Sequence, residues 1–226
     1  LPLAQRMEGS DDRETSVNLP SRPIYIAANR HNIRHADRVL GVLFDYLEHH
    51  FSDDEYIVHL YSDHGVPVYE AEPYLTSEKQ AGATLMMRGG DIPARGIVQE
   101  LTSGVDIYNI MAHNVGFPVG ENTDGNLPAA LGGKERAYVI SNSIYPSKRY
   151  ELGIRTMDYE FRLSSEDIVG MDGTVDLAGA KMAVWKRTPA HENVDDAVFE
   201  YFYDIAMRFT RGTIDHEGHR WPEQTD

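Results

Sequence analysis

Tyr56-Ile57-Val58-His59-Leu60-Tyr61 is a nearly unbroken apolar run, and Ser62-Asp63-His64-Gly65 follows it at once. A run this short and continuous predicts a β-strand covered on both faces, the pattern of a parallel sheet flanked by helices. A long amphipathic helix is expected before it, over residues 29–51. Ala36, Leu40, Leu43, Phe44, Leu47 and Phe51 fall there on one stripe, and Ser52-Asp53-Asp54 breaks the period. Helix, buried strand and polar strand end together point to an α/β architecture.

The rest of the chain divides by pattern. Residues 1–22 are polar and aperiodic, which predicts an arm rather than an element. Residues 66–82 contain Pro67 and Pro73 and read as loop, and Ala83-Thr84-Leu85-Met86-Met87 reads as a second buried strand. A helix is predicted next, capped by Ser103 with Asp106 returning the bond. Val105, Tyr108, Met111, Ala112 and Val115 form its buried face, and Gly116 and Pro118 end it. Ala137-Tyr138-Val139-Ile140 is a further strand. From Tyr150 onward strands alternate at 151–156, 159–163 and 181–186, with turns at Asp158 and Asp172-Gly173, so this part is expected to be antiparallel. A last helix carries Val194, Ala197, Val198, Tyr201, Phe202, Ile205 and Phe209 on one stripe. The expected layout is an arm (1–22), an α/β block (23–145) and a small antiparallel α+β subdomain (146–226).

Composition narrows the function classes. With 21 basic and 36 acidic residues the chain carries a net charge of −15, a poor match for nucleic acid or an anionic membrane surface. The absence of cysteine removes disulfides, thiolate-bound zinc and thiol nucleophiles. No signal peptide or membrane segment is visible, and a start at Leu1 without methionine reads as a truncated or processed product. The compartment stays unassigned.

Among the polar residues, Asp63 and His64 stand where ligands of open α/β sheets gather, beyond the carboxyl end of a strand. An aspartate oxygen and a neutral imidazole nitrogen are both good cation ligands. Neighbours on a straight strand point to opposite faces, so both reach one ion only if the chain turns, which Gly65 permits. By residue type alone, the pair is equally the polar end of a strand entering a solvated loop. Asp215-His216-Glu217-Gly218-His219 holds ligand types in what reads as a solvated tail. His49-His50 suits the negative end of a helix dipole, while His59 and His113 read as packing or hydrogen-bonding residues. Phe199, Tyr201, Phe202 and Tyr203 are core-forming by spacing.

The order of motifs resembles the sulfatase family of the alkaline phosphatase superfamily. His35-Ala36-Asp37 in a helix, Asp54-Glu55-Tyr56-Ile57-Val58 and Ser62-Asp63-His64-Gly65 come first. Glu78 followed by Gly82-Ala83-Thr84-Leu85, Arg88-Gly89, Ile92-Pro93 and the segment from Gly104 through Ile110 continue the series. Asp124-Gly125-Asn126-Leu127-Pro128 and Gly153-Ile154-Arg155-Thr156 close it, so the resemblance spans residues 25–210. It implies the C-terminal portion of an alkaline-phosphatase-like sandwich, a mostly parallel sheet flanked by helices, plus a small antiparallel sheet with a C-terminal helix.

The same resemblance implies a metal-dependent sulfuric ester hydrolase in which Asp63 and His64 are metal ligands. The cofactor implied is a divalent metal, with the nitrogen ligand leaning toward manganese or zinc without excluding calcium. The family's formylglycine nucleophile comes from a Cys/Ser-x-Pro-x-Arg motif, which this chain lacks. Ser21-Arg22-Pro23-Ile24-Tyr25 imitates it but has tyrosine in place of arginine and stands too late in the order. Asp11-Asp12 lacks the strand context of the family's first metal pair, and no histidine precedes His31. No catalytic residue is therefore assigned in this chain. The nucleophile half, formylglycine included, is expected upstream, and the piece alone is expected to be inactive. No lysine lies between Gly65 and Glu78, where the family often holds sulfate, so phosphate and phosphonate esters stay open beside sulfate esters. A non-catalytic binding domain of the same fold is the other alternative. The expected partners are a small-molecule or glycan sulfate or phosphate ester, and either the missing N-terminal half or a second copy.

Overall fold

The computed structural model describes residues 21–66, 76–90, 92, 96–120, 122–187 and 194–213. The polar arm therefore lies outside the described residues except for Ser21 and Arg22, as do Asp11-Asp12 and the 215–219 cluster. The chain forms two compact units, Leu1–Val98 with Gly104–Gly133, and Gln99–Ser103 with Lys134–Asp226.

In the first unit, helix α1 spans Arg22–His50, starting seven residues earlier than its apolar stripe suggests. Proline in the first turn accounts for the early start, since its fixed φ suits a helix and its missing N–H would have had no partner there. The nucleophile-like Ser21-Arg22-Pro23-Ile24-Tyr25 is this first turn. At the other end His49 and His50 occupy the last turn, with His49 Nδ1 3.2 Å from the Asp45 carbonyl oxygen. No residue of α1 is fully buried. Leu40, Phe44 and Leu47 are half-buried, whereas Val39, Val42, Leu43 and Tyr46 are open.

Strand β1 (Ile57–Tyr61) pairs with β2 (Leu85–Gly89), in register from Ile57 opposite Gly89 to Tyr61 opposite Leu85. The pairing is antiparallel, which corrects the expectation of a mostly parallel sheet. A parallel pair requires a crossover of a dozen or more residues, usually a helix. Here the described part of the return path holds only the four-residue helix α2 (Glu78–Ala81). The continuous apolar run suggested strands covered on both faces, yet β1 is half-buried along its length and exposed at Tyr61. Arg88 of β2 fastens α1 to the sheet, its guanidinium 2.6 Å from Glu48 and 5.0 Å from the Phe44 ring centre.

Helix α3 (Asp106–Asn114) is also corrected in its packing. Its buried residues are Asp106, Asn109, Ile110 and Ala112, while Val105, Tyr108, Met111 and Val115 are 51%, 60%, 42% and 58% exposed. Buried Asp106 is tied to the following loop: its Oδ1 accepts from the Asn126 N–H at 2.7 Å, and Asn109 Nδ2 donates to the Gly125 carbonyl at 2.6 Å. The loop carrying Asp124-Gly125-Asn126 has little secondary structure to satisfy its backbone, so α3 turns its polar face inward to bond it.

The second unit is a four-stranded antiparallel sheet in the order β3 (Val139–Ser143), β4 (Arg149–Arg155), β5 (Tyr159–Ile168), β6 (Lys181–Lys186). The turn at Asp158 is closed by Thr156, whose hydroxyl accepts from the Tyr159 N–H at 3.0 Å. Helix α4 (Asp196–Thr213) covers one face. Tyr150, Leu152, Ile154, Phe161 and Leu163 meet Phe202, Ile205, Ala206 and Met207 there, with the Phe161 and Phe202 rings stacked at 5.9 Å. Alternation sends Glu151, Arg155, Glu160 and Arg162 to the opposite face, where Arg155 pairs with Glu160 at 2.6 Å and Arg162 with Glu151 at 2.9 Å. Of the predicted stripe, Val198, Phe202, Ile205 and Phe209 are buried or half-buried, Ala197 and Tyr201 are exposed, and Val194 precedes the helix. Among the described residues, no helix is long and apolar enough to cross a membrane.

Candidate functional site

The tip of β1 is built by a loop folded back onto the entry to β2. The Ser62 N–H donates to the Thr84 carbonyl at 3.1 Å, and the Thr84 N–H donates to Ser62 Oγ at 2.9 Å. Three residues on, the Gly65 N–H donates to the Gln80 carbonyl of α2 at 2.8 Å. A Cβ at Gly65 would overlap the Lys79 carbonyl oxygen and stand 2.5 Å from that of Gly82. Only glycine lets the two backbones come this close, so Gly65 earns its place by proximity as well as by flexibility. The turn held between these bonds carries Asp63 and His64.

In this turn the two side chains converge. Asp63 Oδ1 accepts from the His64 N–H at 2.9 Å, which leaves Oδ2 directed toward His64 Nε2 at 3.7 Å. His64 Nδ1 stands 2.7 Å from the Gly65 carbonyl oxygen. Both side chains are exposed, 87% for Asp63 and 57% for His64. Two ligands each about 2.0–2.5 Å from one ion stand about 3–4 Å apart, so the separation fits a shared cation. The donor set is one carboxylate oxygen and one imidazole nitrogen, and it suits a divalent metal in kind. It is half a site: among the described residues no group of three His, Asp or Glu side chains forms that could hold an ion.

The other polar residues fall elsewhere. His35 and Asp37 lie exposed on α1, and His113 is exposed on α3. His59, half-buried in β1, has its Nε2 2.8 Å from Asn114 Nδ2, and the same amide nitrogen reaches Met87 Sδ at 3.6 Å. Burial holds the His59 imidazole below its ordinary protonation range. One contact at the strand tip was not foreseen from sequence: the Gln80 side-chain amide nitrogen stands 3.3 Å from His64 Nδ1. Its only sequence signal is its place in the Glu78–Gly82 stretch, which carries no ligand type of its own beyond Glu78.

Residues 8–116 match the family model described as Sulfatase. In fold, the chain is similar to a candidate sulfatase from Bacteroides thetaiotaomicron VPI-5482, with a TM-score of 0.64 at 15% identity over 88% of this chain and 44% of that one. It is also similar to BT4656, solved in complex with its substrate D-glucosamine-2-N,6-O-disulfate, with a TM-score of 0.50 at 18% identity over 69% of this chain and 32% of that one. No curated protein matches the sequence. The chain thus spans less than half the length of either solved structure. At these identities the likeness speaks for the fold, a mixed α/β arrangement with antiparallel sheets.

Proposed function

We propose, for a chain whose residues 8–116 are sulfatase-family sequence, that it supplies two metal ligands to the active site of a sulfuric ester hydrolase. The observation that carries this reading is the convergence of Asp63 Oδ2 and His64 Nε2 to 3.7 Å at the end of β1. A divalent cation held there would lower the pKa of an adjacent oxygen nucleophile and offset charge on the ester oxygens. The chain's own part is orientation. Asp63 commits one oxygen to the His64 N–H and presents the other, and Gly65 lets the turn press onto α2 so that both donors face one side. The remaining ligands and the nucleophile come, in this reading, from residues outside those described, and the described piece is inactive without them.

The sulfated glucosamine bound by BT4656 makes a sulfated amino sugar the first substrate to try. Sulfate release from a 6-O-sulfated glucosamine should require a divalent cation in the natural polypeptide. It should fall by about 100-fold or more in Asp63→Ala and in His64→Ala, the scale of losing several kcal/mol of charge stabilisation. Unchanged turnover in either variant would overturn the proposal. The lack of lysine between Gly65 and Glu78 favours one second reading, a phosphate or phosphonate ester hydrolase. Turnover of a phosphate diester in preference to the sulfate ester would select it.

A further inference from the structure

We propose that Gln80, together with the Gly65 carbonyl, is a positioning residue that holds His64 as its Nδ1–H tautomer and keeps Nε2 unprotonated beside Asp63. The inference rests on the cation-ligand reading of that pair and deepens it, because an imidazole can coordinate only through a nitrogen that carries no proton.

Three distances around one ring decide the tautomer. A carbonyl oxygen can only accept, and the Gly65 oxygen lies 2.7 Å from His64 Nδ1. A bare Nδ1 would set two lone pairs against each other at that separation, so the proton belongs on Nδ1. Among the described residues, the contact recorded on the other side of the ring does not oppose this assignment. Asp63 Oδ2, at 3.7 Å from Nε2, is too far to reward a proton there with a hydrogen bond.

Gln80 then has a defined task. Its amide end lies 3.3 Å from Nδ1, and the oxygen and nitrogen of such an amide are interchangeable in shape. Against an N–H that already donates to Gly65, the amide is favourable only with its oxygen turned inward, as a second acceptor for the same proton. The backbone supports the placement twice over. The Gln80 carbonyl accepts from the Gly65 N–H at 2.8 Å, and the Gln80 N–H donates to Ser77 Oγ at 3.2 Å. Residue 80 thereby fixes both the turn that carries His64 and the proton on its ring.

The test is nitrogen-15 NMR of the histidine rings in the metal-free full chain, at alkaline pH where imidazole is neutral. His64→Gln assigns the resonance. The wild-type protein should show His64 protonated on Nδ1. Gln80→Glu, which can only accept, should keep that form, while Gln80→Ala should shift the tautomer ratio toward Nε2–H by about threefold to tenfold. Unshifted Ser62 and Thr84 amide signals would show the turn intact in each variant. A wild-type His64 protonated on Nε2 would overturn the proposal, as would a Gln80→Ala variant with an intact turn and an unchanged ratio. A Gln80→Glu variant that converts to Nε2–H would do the same. Because no metal is present, these outcomes are separate from failure of the cation reading, which is measured by adding manganese to the wild-type chain.

Discussion

Replacing Gly65 with alanine tests whether the tip of β1 is held by the close approach described above. Gly65 has no positive φ, so alanine meets no dihedral penalty and the whole cost is steric. The added Cβ overlaps the Lys79 carbonyl oxygen and stands 2.5 Å from that of Gly82, against an ordinary carbon–oxygen contact of about 3.3 Å. Both obstacles are backbone, so the turn must withdraw by about 0.8 Å or more. Overpacking of this kind costs about 1–3 kcal/mol. Loss of the Gly65 N–H bond to Gln80 adds about 0.5–1.5 kcal/mol. The sum, about 1.5–4.5 kcal/mol, should appear as local opening, since the bonds affected all join residues 62–84. Amide hydrogen exchange at Ser62 and Thr84 should therefore accelerate by about 12- to 1,600-fold, at a factor of ten for every 1.4 kcal/mol. Gly41 is the control: it lies in α1 with nothing within 4 Å of its Cβ position, and Gly41→Ala should stabilise by about 0.5–1 kcal/mol. Exchange in Gly65→Ala equal to wild type, or a stability gain like that of Gly41→Ala, would refute the argument.

In the second unit, Phe202→Ala should cost about 3–5 kcal/mol, because a fully buried ring stacked on Phe161 is lost. Tyr201→Ala next to it should stay within about 1 kcal/mol, both read as urea midpoints from Trp185 fluorescence. His59 gives a pH prediction with a fixed sign: burial lowers its folded pKa below the ordinary 6.5, so the folded state binds the proton less readily than the unfolded chain. Its stabilising contribution is complete above about 6.5 and is lost as pH falls from there through the depressed folded value. His59→Gln should remove that part of the acid sensitivity of the helical circular dichroism melt, and an identical pH profile in the variant would contradict it.

The second unit was legible because its physics is local. Strand alternation in Glu151 through Arg155 and again in Tyr159 through Leu163 assigns each residue to a face, and Asp158 and Gly173 mark reversals. The first unit resisted for two reasons. The apolar run of β1 records which residues avoid water and carries no information on strand direction, so a run typical of parallel sheets belongs to an antiparallel pair. In α3, periodicity assigned Val105, Tyr108 and Met111 to the core, while the loop at 124–126 needed hydrogen-bond partners and drew Asp106 and Asn109 inward instead. A sequence cannot announce which loop will claim a helix's polar face. Asp63 and His64 were visible as ligand types at a strand end, but their convergence depends on Gly65 pressing against Lys79 and Gly82, residues distant in sequence. Gln80 was invisible, because an amide in a polar stretch has no pattern until the fold sets it beside an imidazole.

Paramagnetic broadening by manganese is the most direct measurement of the shared-cation claim. Of the ten histidines, His64 should broaden first and selectively as Mn²⁺ is added to the chain, and Asp63→Ala should abolish that selectivity. Uniform broadening across the exposed histidines, or a His64 signal equally affected with and without the Asp63 carboxylate, would contradict it.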